Sequence, residues 1–130
     1  MVRVITFGTF DIFHIGHLNI LQRSAELGNH LIVGISTDEL NFSKKQRYPI
    51  CPEKSRAEIV AALRCVEGVF FEESLEMKRQ YIIEHRADIL VMGDDWAGKF
   101  DEFKDICEVI YLPRTPSIST TELIEIVKER

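Results

Sequence analysis

At 130 residues, with 45% hydrophobic and 28% charged side chains, the chain has the composition of one ordinary globular domain spanning 1–130, and a disordered or fibrous reading is excluded. A net charge of −5 argues against attraction to nucleic acid or an anionic membrane, and no apolar stretch approaches transmembrane length. Cys51, Cys65 and Cys107 are odd in number and far apart, which fits neither zinc-site spacing nor a disulfide framework; a reducing, cytoplasmic setting is expected.

Met1 leads into "VRVITF" (2–7), a short β-branched run closed by Gly8 that reads as a buried strand, with no apolar region of a secretion signal before it. Leu18, Leu21 and Ala25 recur at helical spacing, and Gly28 is a candidate cap for that helix. "HLIVGIS" (30–36) is a second buried strand. Residues 37–52 are polar and basic, carry Pro49 and Pro52, and are expected as a long loop. A helix is predicted from Glu53 to about Arg64, with Ile59, Ala62 and Leu63 on its inner side. "GVFFEE" (68–73) is a third strand and "MKRQYIIEH" (77–85) the next helix. "DILVMG" (88–93) is a fourth strand, followed by a loop and a helix near 99–106. "EVIYLP" (108–113) is a fifth strand, and Ser119 with Glu122, in capping-box spacing, opens a terminal helix.

Strands that are apolar throughout and alternate with helices predict an α/β fold: a Rossmann-like, doubly wound, parallel five-stranded sheet covered on both faces. Ligands of such sheets sit beyond the carboxyl ends of the strands, at the switch point. The segments that follow the strands hold His14, His17, Lys44, Lys45, Arg47, Asp94, Asp95, Trp96, Arg114, Thr115, Ser119 and Thr120. The unusual polar chemistry of the chain therefore converges on one rim.

"GTFDIFHIGHLNIL" (8–21) places two imidazoles, His14 and His17, around Gly16 at the start of a predicted helix. Three readings compete. A metal site needs three or four ligands; the pair supplies two, Asp11 is a candidate third, and no matching cysteine or histidine follows another strand. Structural histidines are the plain alternative. The context favours a phosphate cradle, since a helix start offers unpaired N–H groups and partial positive charge, and a glycine lets backbone approach a ligand. "RTPSISTTELI" (114–124) is a second such stretch, in which Arg114 supplies a planar fork and Thr115, Ser119, Thr120 and Thr121 supply hydroxyls; read by itself it is a capped helix with an exposed arginine. Two phosphate-suited helix starts on one rim imply a polyphosphate.

"TFGTFDIFHIGHLNIL" resembles the His-x-Gly-His signature of the nucleotidylyltransferase superfamily, and "RTPSISTTEL" resembles the Arg-Thr-x-x-Ile-Ser-Thr-Thr signature of its cytidylyltransferase branch. The likeness continues through "ISTDELN", "VMGDDWAGKFD" and "CEVIYLPRT", and runs closest to the glycerol-3-phosphate cytidylyltransferases. It implies transfer of a cytidylyl group from CTP to glycerol 3-phosphate with Mg²⁺ or another divalent cation, by a homodimer. It further implies that His14, His17 and Arg114 are catalytic. Thr9, Phe10, Ile15, Gly16, Arg64, Asp94, Thr115, Pro116, Ser117, Ile118, Ser119, Thr120 and Thr121 would join them in holding the nucleotide. The metal would be carried on the triphosphate and not on the histidines. The chain departs from the second signature at Pro116 and Ser117, where family members often have Glu-Gly, and a stiffer loop is expected there.

"FSKKQRYP" (42–49), read alone, is a solvated charge run; by resemblance Lys44 is an acceptor-phosphate ligand, with Lys45 and Arg47 adding to the field. Lys78 and Trp96 are assigned to the acceptor in the same way, although periodicity alone makes Lys78 a surface charge. Two other readings stand beside this one. The first keeps nucleotidyl transfer with another nucleotide or acceptor: ATP with FMN or a sugar phosphate, or CTP with phosphocholine or phosphoethanolamine. The second is a non-catalytic nucleotide-binding module, which would have no use for both histidines and Arg114 together.

Overall fold

Apolar runs of five to seven residues punctuated by polar turns give the element order β1 (Arg3–Gly8), α1 (Ile15–Glu26), β2 (His30–Ser36), α2 (Asp38–Lys45), α3 (Glu53–Ala61), β3 (Gly68–Glu72), α4 (Lys78–Glu84), β4 (Ile89–Gly93), β5 (Glu108–Leu112) and α5 (Thr120–Lys128). The computed structural model describes residues 1–116 and 118–130. The five strands form one sheet in the order β3-β2-β1-β4-β5, and every adjacent pair is parallel. The chain moves outward from β1 to β3 and then returns to the other side of β1, so the switch point lies between β1 and β4. No helix among the described residues is long and apolar enough to cross a membrane.

Alternation along the strands feeds two cores. Val4, Leu31, Val33, Ile35, Ile89 and Val91 face Leu21 of α1 and Ala57 and Val60 of α3. Ile5, Phe7, Leu90 and Met92 face Tyr81 and Ile82 of α4 together with Phe103. Both faces are covered, which is why the strand interiors read as nearly continuous apolar runs, with polar residues mostly at their ends.

Three local expectations are corrected. The segment 37–52 is not one loop, because its first half is α2. Thr37 caps that helix by accepting from Leu40 N–H at 3.1 Å, Asp38 and Glu39 open it, Lys44 and Lys45 close it, and Gln46 ends it in the left-handed region at φ 59°. Only Leu40 and Asn41 are buried, so the helix carries almost no apolar periodicity to betray it. The inner face of α3 is Arg56, Ala57 and Val60; Ile59 is exposed, Ala62 is the C-cap, and Leu63 meets the core from the turn beyond. Near 99–106 the chain forms a 3-10 turn at Asp101–Asp105 instead of an α-helix, and another 3-10 turn spans Asp94–Trp96. Gly28 lies one residue past the α1 cap, Leu27. A Cβ on it would meet Val2 O at 2.5 Å, so close approach of the β1 lead-in explains the glycine.

Candidate active site

A cleft of about 1060 Å³ opens at the carboxyl ends of the strands and spans the switch point. Its upper wall is the β1–α1 connection, residues 9–14. Phe10 and Ile12 both hold left-handed backbone, at φ 55° and 46°, which is costly for a β-branched isoleucine. Neighbouring contacts hold that loop in place. The Asp11 carboxylate accepts from Ile50 N–H and Cys51 N–H, both at 2.8 Å. Thr120 Oγ1 donates to Asp11 O at 2.8 Å, and Arg56 Nη1 donates to Thr9 O at 2.8 Å. Arg56 is 1% exposed and also donates to Ser36 O, Cys51 O and Asp38 Oδ1, so one guanidinium ties the ends of β1 and β2 to α2.

The two histidines begin α1 as a reciprocal cap. His14 is the N-cap residue; its Nδ1 accepts from Gly16 N–H at 3.0 Å, while His14 N–H donates to His17 Nδ1 at 3.2 Å. With both Nδ1 atoms acting as acceptors, both imidazoles carry their proton on Nε2. The rings stack with centroids 3.8 Å apart, and His17 is held edge-on to Phe10 at 5.4 Å. His14 Nε2 is buried and has no hydrogen-bond partner among the described residues, so a donor stands ready for a ligand at this helix start. Burial, then the neighbouring His14, lowers the His17 pKa to about 4, with Arg114 adding to the shift and Asp11 opposing it; His14 is lowered too, by burial and then by Arg114. Both are therefore neutral donors at neutral pH. Gly16 serves this cap: a Cβ there would meet His14 Cε1 at 2.8 Å and Nδ1 at 3.0 Å. Its N–H is spent on His14 and is not offered to a ligand.

The facing wall comes from β4, β5 and α5. Arg114 lines the cleft and meets Asp95 Oδ2 at 3.4 Å; the pair is half exposed and weak. Ser119 caps α5 by accepting from Glu122 N–H, and Asn19 donates to Thr115 Oγ1 at 3.0 Å. The single hydroxyl proton of Thr120 goes to Asp11 O, so this residue joins the two helix starts. At the far end, Glu72 closes β3 and accepts from Lys78 Nζ at 2.6 Å, with both side chains buried; the ammonium also lies 3.7 Å from the Phe7 ring centre.

Most of the residues singled out from sequence meet here. Thr9, Phe10, His14, Gly16 and His17 line the cleft on one wall, and Arg114, Thr115, Ile118, Ser119, Thr120 and Thr121 on the other. Lys44, Lys78 and Trp96 line it as well, Lys44 from the last turn of α2 and not from a loop, and Lys78 as a buried residue and not a surface charge. Ile15 is exposed and Pro116 lies outside the lining. Asp94 is exposed and is not itself among the lining residues, whereas Gly93 and Asp95 on either side of it are. Arg64 is exposed in the turn leading into β3, at the amino ends of the strands, so the fold carries it to the opposite edge of the sheet. Ser117 lies outside the described residues. Sequence reasoning passed over Arg56 and Glu72 and weighed Asp11 only as a metal ligand. For Arg56 a signal existed, since it stands four residues before Val60, on the same helix face.

Among the described residues no group of three His, Cys, Asp or Glu side chains could hold a metal ion. Both histidine Nδ1 atoms and both Asp11 carboxylate oxygens are already taken by backbone N–H groups. The cleft thus has no donor set of its own for the divalent cation that the sequence resemblance implies.

Fold and site together define a Rossmann-like α/β protein with a polyphosphate-suited cleft at its switch point. The chain belongs to the cytidylyltransferase-like family, whose model matches residues 5–126. It is 50% identical over 125 residues to the glycerol-3-phosphate cytidylyltransferase of Bacillus subtilis (strain 168), covering 96% of each chain. To the glycerol-3-phosphate cytidylyltransferase of Staphylococcus aureus (strain NCTC 8325 / PS 47) it is 44% identical over 123 residues, covering 95% of this chain and 92% of the other. Among solved structures, the lipopolysaccharide core biosynthesis protein from Thermoplasma volcanium GSS1 matches with a TM-score of 0.75 at 25% identity, over 88% of this chain and 98% of that one.

Proposed function

We propose that this chain transfers a cytidylyl group from CTP to glycerol 3-phosphate, releasing pyrophosphate and CDP-glycerol. The observation that carries the reading is the pair of Nε2–H donors fixed by the reciprocal cap of His14 and His17, opposite Arg114 and the start of α5. The names of the relatives, at 44% to 50% identity over nearly the whole chain, supply the nucleotide and the acceptor.

The acceptor phosphate is itself an anionic nucleophile, so the reaction needs no general base. One of its oxygens attacks the α-phosphorus of CTP, a new P–O bond forms, and the bond to the pyrophosphate oxygen breaks on the opposite side. The barrier lies in bringing anions together and in the charge that grows on the α-phosphate and the leaving group. His14 and His17 donate to those oxygens as neutral groups, and Arg114 leaves its weak contact with Asp95 to grip the triphosphate. Thr9 and Phe10, held by Arg56 and Asp11, shape the wall along which the phosphates lie. Lys44 and Lys78 hold the acceptor phosphate, and Trp96 bounds its pocket. A divalent cation such as Mg²⁺ would enter on the triphosphate itself. The working unit in this reading is a homodimer in the cytoplasm.

A pyrophosphate-release panel tests it by crossing CTP, ATP and UTP with glycerol 3-phosphate, phosphocholine, phosphoethanolamine and FMN. Release with CTP and glycerol 3-phosphate above all other pairs is expected. Preference for ATP would move the protein to another nucleotidyl transfer, and no release with any pair would leave a nucleotide-binding module.

A further inference from the structure

Two carboxylates among the described residues are buried at the cleft, and they differ in one respect. Asp11 has both oxygens occupied by backbone N–H groups. Glu72, 2% exposed, has Oε2 occupied by Lys78 at 2.6 Å, and no donor among the described residues reaches its Oε1. Glu72 lines the cleft, on the β3 side of the switch point and away from the Arg114 wall. A carboxylate can only accept, and Oε1 is not sealed off: among the described residues His14 Nε2 is the one buried side-chain polar atom without a partner, so Oε1 stays open to the cleft, where a ligand's donor can meet it.

The chemistry around Glu72 narrows that donor. A phosphate would be repelled. A second cation has little to gain, because the Lys78 ammonium already neutralises Glu72, and Lys44 stands near enough to feel its charge. A neutral hydroxyl fits. We propose that Glu72 Oε1 accepts a hydroxyl of the acceptor's glycerol tail while Lys78 and Lys44 hold its phosphate, making Glu72 the residue that selects a polyol phosphate over a plain alkyl phosphate. This rests on the acceptor assigned above.

The test compares kcat/KM for glycerol 3-phosphate and for n-propyl phosphate, at saturating CTP, in the wild type, Glu72→Gln and Glu72→Asp. The wild type should prefer glycerol 3-phosphate by roughly 10- to 100-fold, the range of a hydrogen bond to a charged group. Glu72→Gln turns a donor toward the cleft once Lys78 takes the amide oxygen, and Glu72→Asp keeps the charge beside Lys78 but withdraws the acceptor atom. Each should cut the preference about ten-fold or more. Equal losses on both acceptors would show that Glu72 only positions Lys78 and would overturn the proposal. A changed CTP-to-UTP ratio with an unchanged acceptor preference would overturn it too, placing Glu72 against the base. A wild type that makes no CDP-glycerol overturns the functional reading first and this inference with it. Should the glutamine variant not fold, the aspartate variant and a crystal structure of the wild type with glycerol 3-phosphate decide: a hydroxyl on Oε1 is expected, and hydroxyls turned to solvent would refute it.

Discussion

His14 N–H donates to His17 Nδ1 at 3.2 Å while the two imidazole rings stack 3.8 Å apart. The same geometry caps a helix and sets two tautomers. A substitution that keeps the cap but removes Nε2 therefore separates stability from catalysis. His14→Asn retains a good capping oxygen and should leave the melting temperature near that of the wild type, whereas His14→Ala should cost about 0.5–2 kcal/mol. Both should lower kcat by roughly 10²–10³, as a lost oxyanion donor does, with a smaller effect on CTP affinity. Thermal melts and steady-state kinetics check the two halves; full turnover in the asparagine variant would remove His14 from the chemistry.

The depressed pKa of His17 gives a pH signature. An unfolded histidine titrates near 6.5, and the folded one, held by burial and by His14, at about 4. Between these values the unfolded chain binds more protons, so stability is full above pH 6.5, declines as pH falls toward 4, and loses no more from this group below that. The C–H resonances of His17 followed by NMR should titrate near 4. Denaturant midpoints from pH 7 to 4 should fall in wild type and flatten in His17→Gln.

Arg114 makes only a half-exposed contact with Asp95 at 3.4 Å, so its native partner is easily exchanged for a phosphate. Arg114→Lys keeps the charge but not the planar fork and should still reduce kcat/KM for CTP at least ten-fold. Kinetics of the lysine variant near wild type would mean that field strength alone matters at this position.

Lys44 stands at the cleft mouth in the last turn of α2, where desolvation lowers its pKa against the pull of Glu72. Lys44→Ala should raise the KM for glycerol 3-phosphate about ten- to a hundred-fold and change CTP binding by a small factor. Calorimetric titration with CTP and acceptor kinetics measure the two effects. Collapse of CTP affinity with an unchanged acceptor KM would assign the α2 lysines to the triphosphate.

The proposed homodimer should sediment at twice the chain mass of 15.0 kDa in reductant, joined by packing and not by Cys51, Cys65 or Cys107. A monomer at micromolar concentration would count against it.

The sequence by itself determined what depends on local pattern. The five strands follow from continuous apolar runs, α1 and α5 from spacing and caps, and the gathering of His14, His17 and Arg114 from the rule that doubly wound sheets bind at their carboxyl ends. Tertiary structure decided whatever depends on partners far away in the chain. Arg56 is buried because Thr9, Ser36, Asp38 and Cys51 converge on it, and α2 is held by its Thr37 cap and by Asp38, whose partners are Arg56 and the start of α3. Lys78 reads as a surface lysine until the fold sets Glu72 and Phe7 against it. Arg64 follows a helix like any other cationic residue, yet the parallel winding delivers it to the amino edge of the sheet. Periodicity is written in neighbouring residues, whereas the burial of a charge depends on groups that only the folded chain brings together.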